Sequence, residues 1–91
     1  MKIEFDSPKR DWTLEQRRLD MAKAGAIFTD FHMSREDNQE DYGEIRVVTL
    51  GRMGKIVVVC VWTERAGWRR IISLRKAELD EREIYLAYCP A

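Results

Sequence analysis

Four cations sit among three aliphatic residues in the run Arg69-Arg70-Ile71-Ile72-Ser73-Leu74-Arg75-Lys76. A strand built only to pack would not carry that charge. Guanidinium groups fixed on a sheet suit a phosphate backbone, because the planar fork donates to two oxygens at once. Arg65 precedes the run, and Glu81, Arg82 and Tyr85 follow it. These residue types can be set against the needs of RNA cleavage without a metal. Such cleavage needs a base to take the 2′-hydroxyl proton and an acid to protonate the leaving 5′-oxygen. It also needs cations to stabilise the crowded phosphorane. Two histidines would ordinarily share the proton work, and the chain has one, His32. Arg65, Arg70 and Arg75 are therefore the candidates for phosphate contact. Lys76, Glu81 and Tyr85 are the candidates for proton transfer. Arg82, three residues before Tyr85, can share a helical surface with it. Trp62 and Trp68 offer rings for base stacking, with Arg69 and Lys9 as further RNA contacts.

Most of these residues also have a plainer explanation. Arg82 lies four residues after Glu78, the spacing of an ion pair within a helix. Glu81 suits a solvated helix acid. Tyr85 suits an anchor in an apolar stripe of Ala77, Ile84, Tyr85 and Tyr88. Tryptophan beside a strand is more often core than a stacking platform. His32 reads as a strand or loop histidine. Arg75 and Lys76 resist such an explanation, since a helix start disfavours cations unless an anion binds there. One geometric problem stands. Arg70 and Arg75 have opposite parity, so a regular strand aims them at opposite faces. Either the strand ends or bulges near Ser73, or only one of them lines the site.

Composition bounds the possibilities. The chain has 91 residues, 45% hydrophobic and 35% charged. That fits one small globular domain over residues 1–91 and argues against disorder or a membrane protein. No stretch approaches the roughly 18 apolar residues of a spanning helix, and no signal peptide opens the chain; the expected compartment is the cytoplasm. Cys60 and Cys89 are far apart, with no CxxC and no histidine neighbour, so neither a metal site nor a disulfide scaffold is expected. GxGxxG, the phosphate-binding lysine loop, HExxH and GxSxG are all absent, so no cofactor is expected. Net charge is zero, yet it is separated. Glu36, Asp37, Glu40, Asp41 and Glu44 form an acidic stretch without a base, and residues 65–76 hold five bases without an acid. A neutral chain can thus present a cationic face, unless the two poles fold onto each other.

The elements that position these groups follow from pattern. Residues 2–5 alternate as a short strand. Ser7-Pro8 starts a helix running to about residue 18, with the hydroxyl at the cap. Asp20 caps a second helix, in which Met21, Ala24, Ile27 and Phe28 recur at helical spacing. Gly25 weakens that helix or marks a close contact. A short strand over residues 31–35 precedes the acidic loop, which ends in Tyr42-Gly43. Strands over 45–50, 56–63 and 68–74 follow. They are joined by turns at Gly51-Arg52-Met53-Gly54 and Ala66-Gly67. The almost unbroken aliphatic stretch 56–63 is the central strand, covered on both faces. A last helix spans 77–88 and stops before Pro90. The expected class is α+β: a short N-terminal strand, two helices, an antiparallel sheet of about four strands and a C-terminal helix. The helices are expected on one face of the sheet.

The same residues carry a resemblance. The chain is similar to the BrnT toxins of bacterial type II toxin–antitoxin modules. The similarity runs through Phe5-Asp6-Ser7-Pro8-Lys9, Trp12, the Ala24 to Phe28 segment, Gly43-Glu44-Ile45-Arg46 and the strand ending at Arg65. Its most specific block is Arg70-Ile71-Ile72-Ser73-Leu74-Arg75-Lys76-Ala77 with Glu81-Arg82 and Tyr85. Where many relatives carry Lys-His-Gly between the first helices, this chain has Arg17-Arg18-Leu19. The resemblance implies a RelE-like ribonuclease fold with a basic RNA site and metal-free RNA cleavage that blocks translation. It also implies a BrnA-type ribbon-helix-helix antitoxin in a complex of two toxins with two antitoxins, touching operator DNA only through the antitoxin. Carried onto this sequence, the motif points to Arg65, Arg70, Arg75, Lys76 and Arg82, with Glu81 and Tyr85 behind them. The residues alone leave two other readings open. One is a non-catalytic binding module whose basic face holds an acidic partner or nucleic acid. The other is a structural subunit with its cations paired to the acidic stretch.

Overall fold

The computed structural model describes residues 1–38 and 43–90 and places five strands in one sheet. These are β1 (Lys2–Phe5), β2 (Met33–Asp37), β3 (Arg46–Met53), β4 (Ile56–Arg65) and β5 (Trp68–Lys76), in spatial order β1-β5-β4-β3-β2. The expected acids Glu40 and Asp41, and Tyr42 after them, lie outside the described residues. The α+β class holds, but the sheet is mixed. β1 joins the edge of the antiparallel meander parallel to β5, with Lys2 opposite Trp68 and Phe5 opposite Ile71. The aliphatic run does take the middle position, and Val57, Val58, Val59 and Cys60 are all buried. Four consecutive buried residues on a strand require cover on both faces.

That cover comes from opposite sides. α1 (Ser7–Arg17) begins at Asp6, whose carboxylate accepts from the Lys9 amide at 3.1 Å; the cap is Asp6 and not the Ser7 hydroxyl. The next segment, Met21–Thr29, is a 3₁₀ helix capped by Asp20. Its three-residue period stacks Met21, Ala24 and Ile27, all fully buried, on one side. They pack with Leu19, Val58, Cys60, Ile71 and Leu74 into the main core. The helices are not gathered on one face as expected. α2 (Leu79–Tyr88) lies across the other face, where Ile84 and Glu81 line a groove with Met33, Val48, Leu50 and Val59. The stripe expected on α2 is also absent. Tyr85 is fully buried, whereas Ile84 and Tyr88 are exposed.

Gly51 lies inside β3, and the hairpin turn falls three residues later, at Gly54-Lys55. A Cβ on Gly51 would sit 2.5 Å from the Ile27 Cγ2. Glycine here lets the 3₁₀ helix settle onto the sheet. Gly51→Ala should therefore cost about 1–3 kcal/mol of overpacking, read as a lower urea midpoint with an unchanged m value.

Candidate functional site

A β-bulge removes the parity conflict. Ile71 pairs with Trp62 and Ser73 with Val61, leaving Ile72 as the extra residue on β5. Beyond it, Arg75 pairs with Val59, while Arg70 pairs with Thr63. Val59 and Thr63 are four residues apart on β4, so Arg70 and Arg75 share a face. Arg65 has the parity of Thr63 and joins them. The three arginines form a row along the sheet, spread over about 20 Å at a strand's rise per residue.

Each arginine in the row holds a carboxylate. Arg65 meets Glu44 at 3.1 Å, Arg70 meets Glu4 at 2.8 Å and Arg75 meets Glu81 at 2.8 Å. The Glu4 pairing follows from the parallel edge, which sets Glu4 beside Arg70. Of the three pairs, only Arg65–Glu44 joins the basic block to the acidic stretch. Such half-exposed pairs add little stability, but they fix the direction of each fork. The Arg75 contact is two-pronged, with its two terminal nitrogens 2.8 and 2.9 Å from the Glu81 oxygens.

Glu81 is committed twice. It also accepts from the Glu78 amide at 2.8 Å, closing the capping box of α2. The Arg75 guanidinium, aided by that amide, holds the Glu81 carboxyl down to about 2. A carboxylate so weakly basic is a poor proton acceptor and a good clamp. The depressed value also has a consequence for stability. The contribution is fully present above the unfolded carboxyl range near 4.5 and is lost as pH falls toward 2. Acid melts of the parent should fall over that window, and Glu81→Gln should flatten the slope there.

Lys76 and Arg82 come together at the junction of β5 and α2. With Lys55, Ile56, Val57 and Ala77 they line a hollow of about 180 Å³. Among the described residues, no carboxylate lies within ion-pair distance of Lys76 or Arg82. The helical pair between Glu78 and Arg82 is not formed, because the Glu78 side chain serves the capping box. Arg75 adjoins this junction through its bond to the Lys76 carbonyl, at 3.3 Å. Of the candidates, Lys76 and Arg82 thus meet at this hollow, while Arg75 and Glu81 are held to each other, with Glu81 lining the groove on the α2 face. Lys55 belongs to the hollow and was missed, since a lone lysine in a hairpin turn carries no sequence signal.

The remaining candidates are dispersed. Tyr85 is buried, and its hydroxyl donates to the Phe31 carbonyl at 2.9 Å. Burial pushes its phenol up, which disfavours the phenolate. This geometry gives Tyr85 the anchoring role. Trp62 is half-buried on the core face, and its indole donates to the Thr49 hydroxyl at 2.8 Å. Arg69 stacks on that ring at 4.3 Å and on Phe28 at 3.5 Å, measured to the ring centroids. Its cation spends itself on aromatic faces, and desolvation lowers its pKa. Trp68 is different. It stands opposite Arg65, on the arginine face, 39% exposed, with Lys2 over its ring. Lys9 is exposed on the first turn of α1. His32 bonds the Asp30 carbonyl at 2.8 Å and meets Phe28 edge-on. Cys60 is buried, with its thiol pushed up to about 12 by burial, and is inert.

Glu78, Asp80 and Glu81 bring ligand atoms within 4.8 Å of one another. The capping box and the Arg75 clamp account for two of them, and Asp80 sits in the first turn of α2, where acids are favourable. No helix among the described residues is long and apolar enough to cross a membrane.

Comparison with curated proteins finds no match. A protein-family model described as the ribonuclease toxin, BrnT, of type II toxin–antitoxin systems matches residues 5–81. That span covers most of the chain, from the end of β1 to the Glu81 clamp, and includes the whole basic block. The chain therefore belongs to the BrnT family of ribonuclease toxins, whose activity is held in check by an antitoxin partner.

Proposed function

We propose that this protein cleaves RNA endonucleolytically without a metal, blocks translation, and is neutralised by a BrnA-type ribbon-helix-helix antitoxin in a two-to-two complex. The observation that carries this reading is the gathering of Lys76 and Arg82, with no acid partner among the described residues, beside the clamped Arg75. Cations left without a partner keep their full charge for a phosphate. Lys76 moves protons at the scissile phosphodiester, and Arg82 and Arg75 stabilise the charge that builds on the phosphorane. Glu81 orients Arg75. The row Arg75, Arg70, Arg65 with Trp68 at its far end is the track for the rest of the strand. Ribose and phosphate run along the forks, and a base stacks on the exposed indole.

A translation extract tests this reading. Purified protein, with a chelator present, should degrade the message and stop protein synthesis, and its antitoxin should restore it. Intact RNA with synthesis unaffected would overturn catalysis. Intact RNA with synthesis lowered would favour a binder that only sequesters nucleic acid.

A further inference from the structure

We infer that Lys55 completes a seat for one backbone phosphate of a bound strand, shared with Lys76 and Arg82. The inference extends the ribonuclease reading to a subsite and takes from it only that the ligand is a nucleic-acid strand. The seat follows from topology. β4 pairs with β5 as far as Val58 opposite Lys76, and the Ala77 amide then donates to the Val57 carbonyl at 2.9 Å. The Gly54-Lys55 turn therefore lies beside the end of β5, where α2 begins. That brings cations from three separate segments around one hollow of about 180 Å³. The hollow is smaller than the roughly 300 Å³ at which drug-sized pockets begin, so it suits a compact anion and not a nucleoside.

The lining of this hollow holds three cations and no acid. Arg10, Arg52, Arg65, Arg70 and Arg75 each hold a carboxylate. Lys55, Lys76 and Arg82 hold none among the described residues. Of the nearby acids, Glu78 is engaged by the capping box and Glu81 by Arg75, and Asp80, in the first turn of α2, is not part of the lining. Three like charges around a hollow repel one another, and an anion seated between them removes that cost. Two lysines and an arginine supply donors enough for the non-bridging oxygens of one phosphate.

Binding of a fluorescent single-stranded oligodeoxynucleotide, which cannot be cut through a 2′-hydroxyl, tests the seat apart from catalysis. Lys55→Gln should weaken binding about tenfold at low salt, the scale of one lost charge-assisted contact. It should also flatten the dependence of log affinity on log salt by about 0.7, the share of one phosphate on a single strand. Lys23→Gln, an exposed lysine on the 3₁₀ helix, should change neither. Lys55→Gln behaving like Lys23→Gln would overturn the seat, and so would absence of strand binding by the parent. Separate assay of the parent on RNA distinguishes the two failures. A parent that cuts RNA while Lys55→Gln binds normally loses the seat alone. A parent that binds through Lys55 without cutting RNA loses the ribonuclease reading alone.

Discussion

Lys76→Gln is expected to lower the rate of RNA cleavage by roughly two to three orders of magnitude, the scale of losing one donor aimed at developing negative charge. The amide shortens the side chain by one atom, keeps a polar tip, and removes both the charge and the proton-transfer capacity. Folding should be almost untouched. Lys76 is exposed, and among the described residues it has no ion pair to lose. Substitutions of that kind stay within about 0.5 kcal/mol. Single-turnover cleavage and a thermal melt, run on the same preparation, separate the two effects. A variant that melts normally and cuts at the parent's rate would remove Lys76 from the chemistry. Arg75→Ala should behave differently. It breaks the two-pronged contact that holds Glu81, so some stability should fall together with activity.

The largest loss of stability is expected at Tyr85. Tyr85→Ala empties a fully buried aromatic site and should cost about 3–5 kcal/mol. Domains of this size have about 5–15 kcal/mol in all, so the variant should be close to unfolding at growth temperature. Tyr85 is the buried residue of α2, and its hydroxyl ties that helix to the Phe31 carbonyl. Losing it should loosen the β5–α2 junction and with it Arg82 and Glu81. Tyr85→Phe isolates the hydroxyl. It should cost about 1 kcal/mol, lower Tm by several degrees, and leave the rate of cleavage near the parent's. The opposite split, an unchanged Tm with cleavage abolished, would make the phenol a proton donor instead of an anchor.

Much of the scaffold could be read from the residues because burial writes itself into pattern. The β-branched run of β4 demanded cover on both faces and received it. The basic block could be located for the same reason, since charge on a strand is conspicuous. Other features left no mark. The bulge falls at Ile71-Ile72, where two identical side chains hide which one is extra. Its position decides whether Arg70 and Arg75 share a face. The 3₁₀ helix looked like an ordinary helix, because Met21, Ala24 and Ile27 fit both periods when Phe28 is added. The side on which α2 packs left no mark either, because the helix buries a single tyrosine and a single residue makes no stripe. The acid partners of the arginines came from distant strands and loops, Glu4 from a parallel edge and Glu44 from the start of the meander. Local spacing could not have named either. Lys55 needed the hairpin folded before it had neighbours at all.

The chemistry of the cut ends tests the central claim most directly. An end-labelled RNA and the same sequence in all-2′-deoxy form are incubated with the purified protein in the presence of a chelator. Attack by the 2′-oxygen on its own phosphorus breaks the bond to the 5′-oxygen. The RNA should therefore yield fragments ending in a 2′,3′-cyclic phosphate beside fragments with a free 5′-hydroxyl, and the deoxy strand should stay whole. Fragments that carry a 5′-phosphate, or a deoxy strand cut as fast as the RNA, would contradict it.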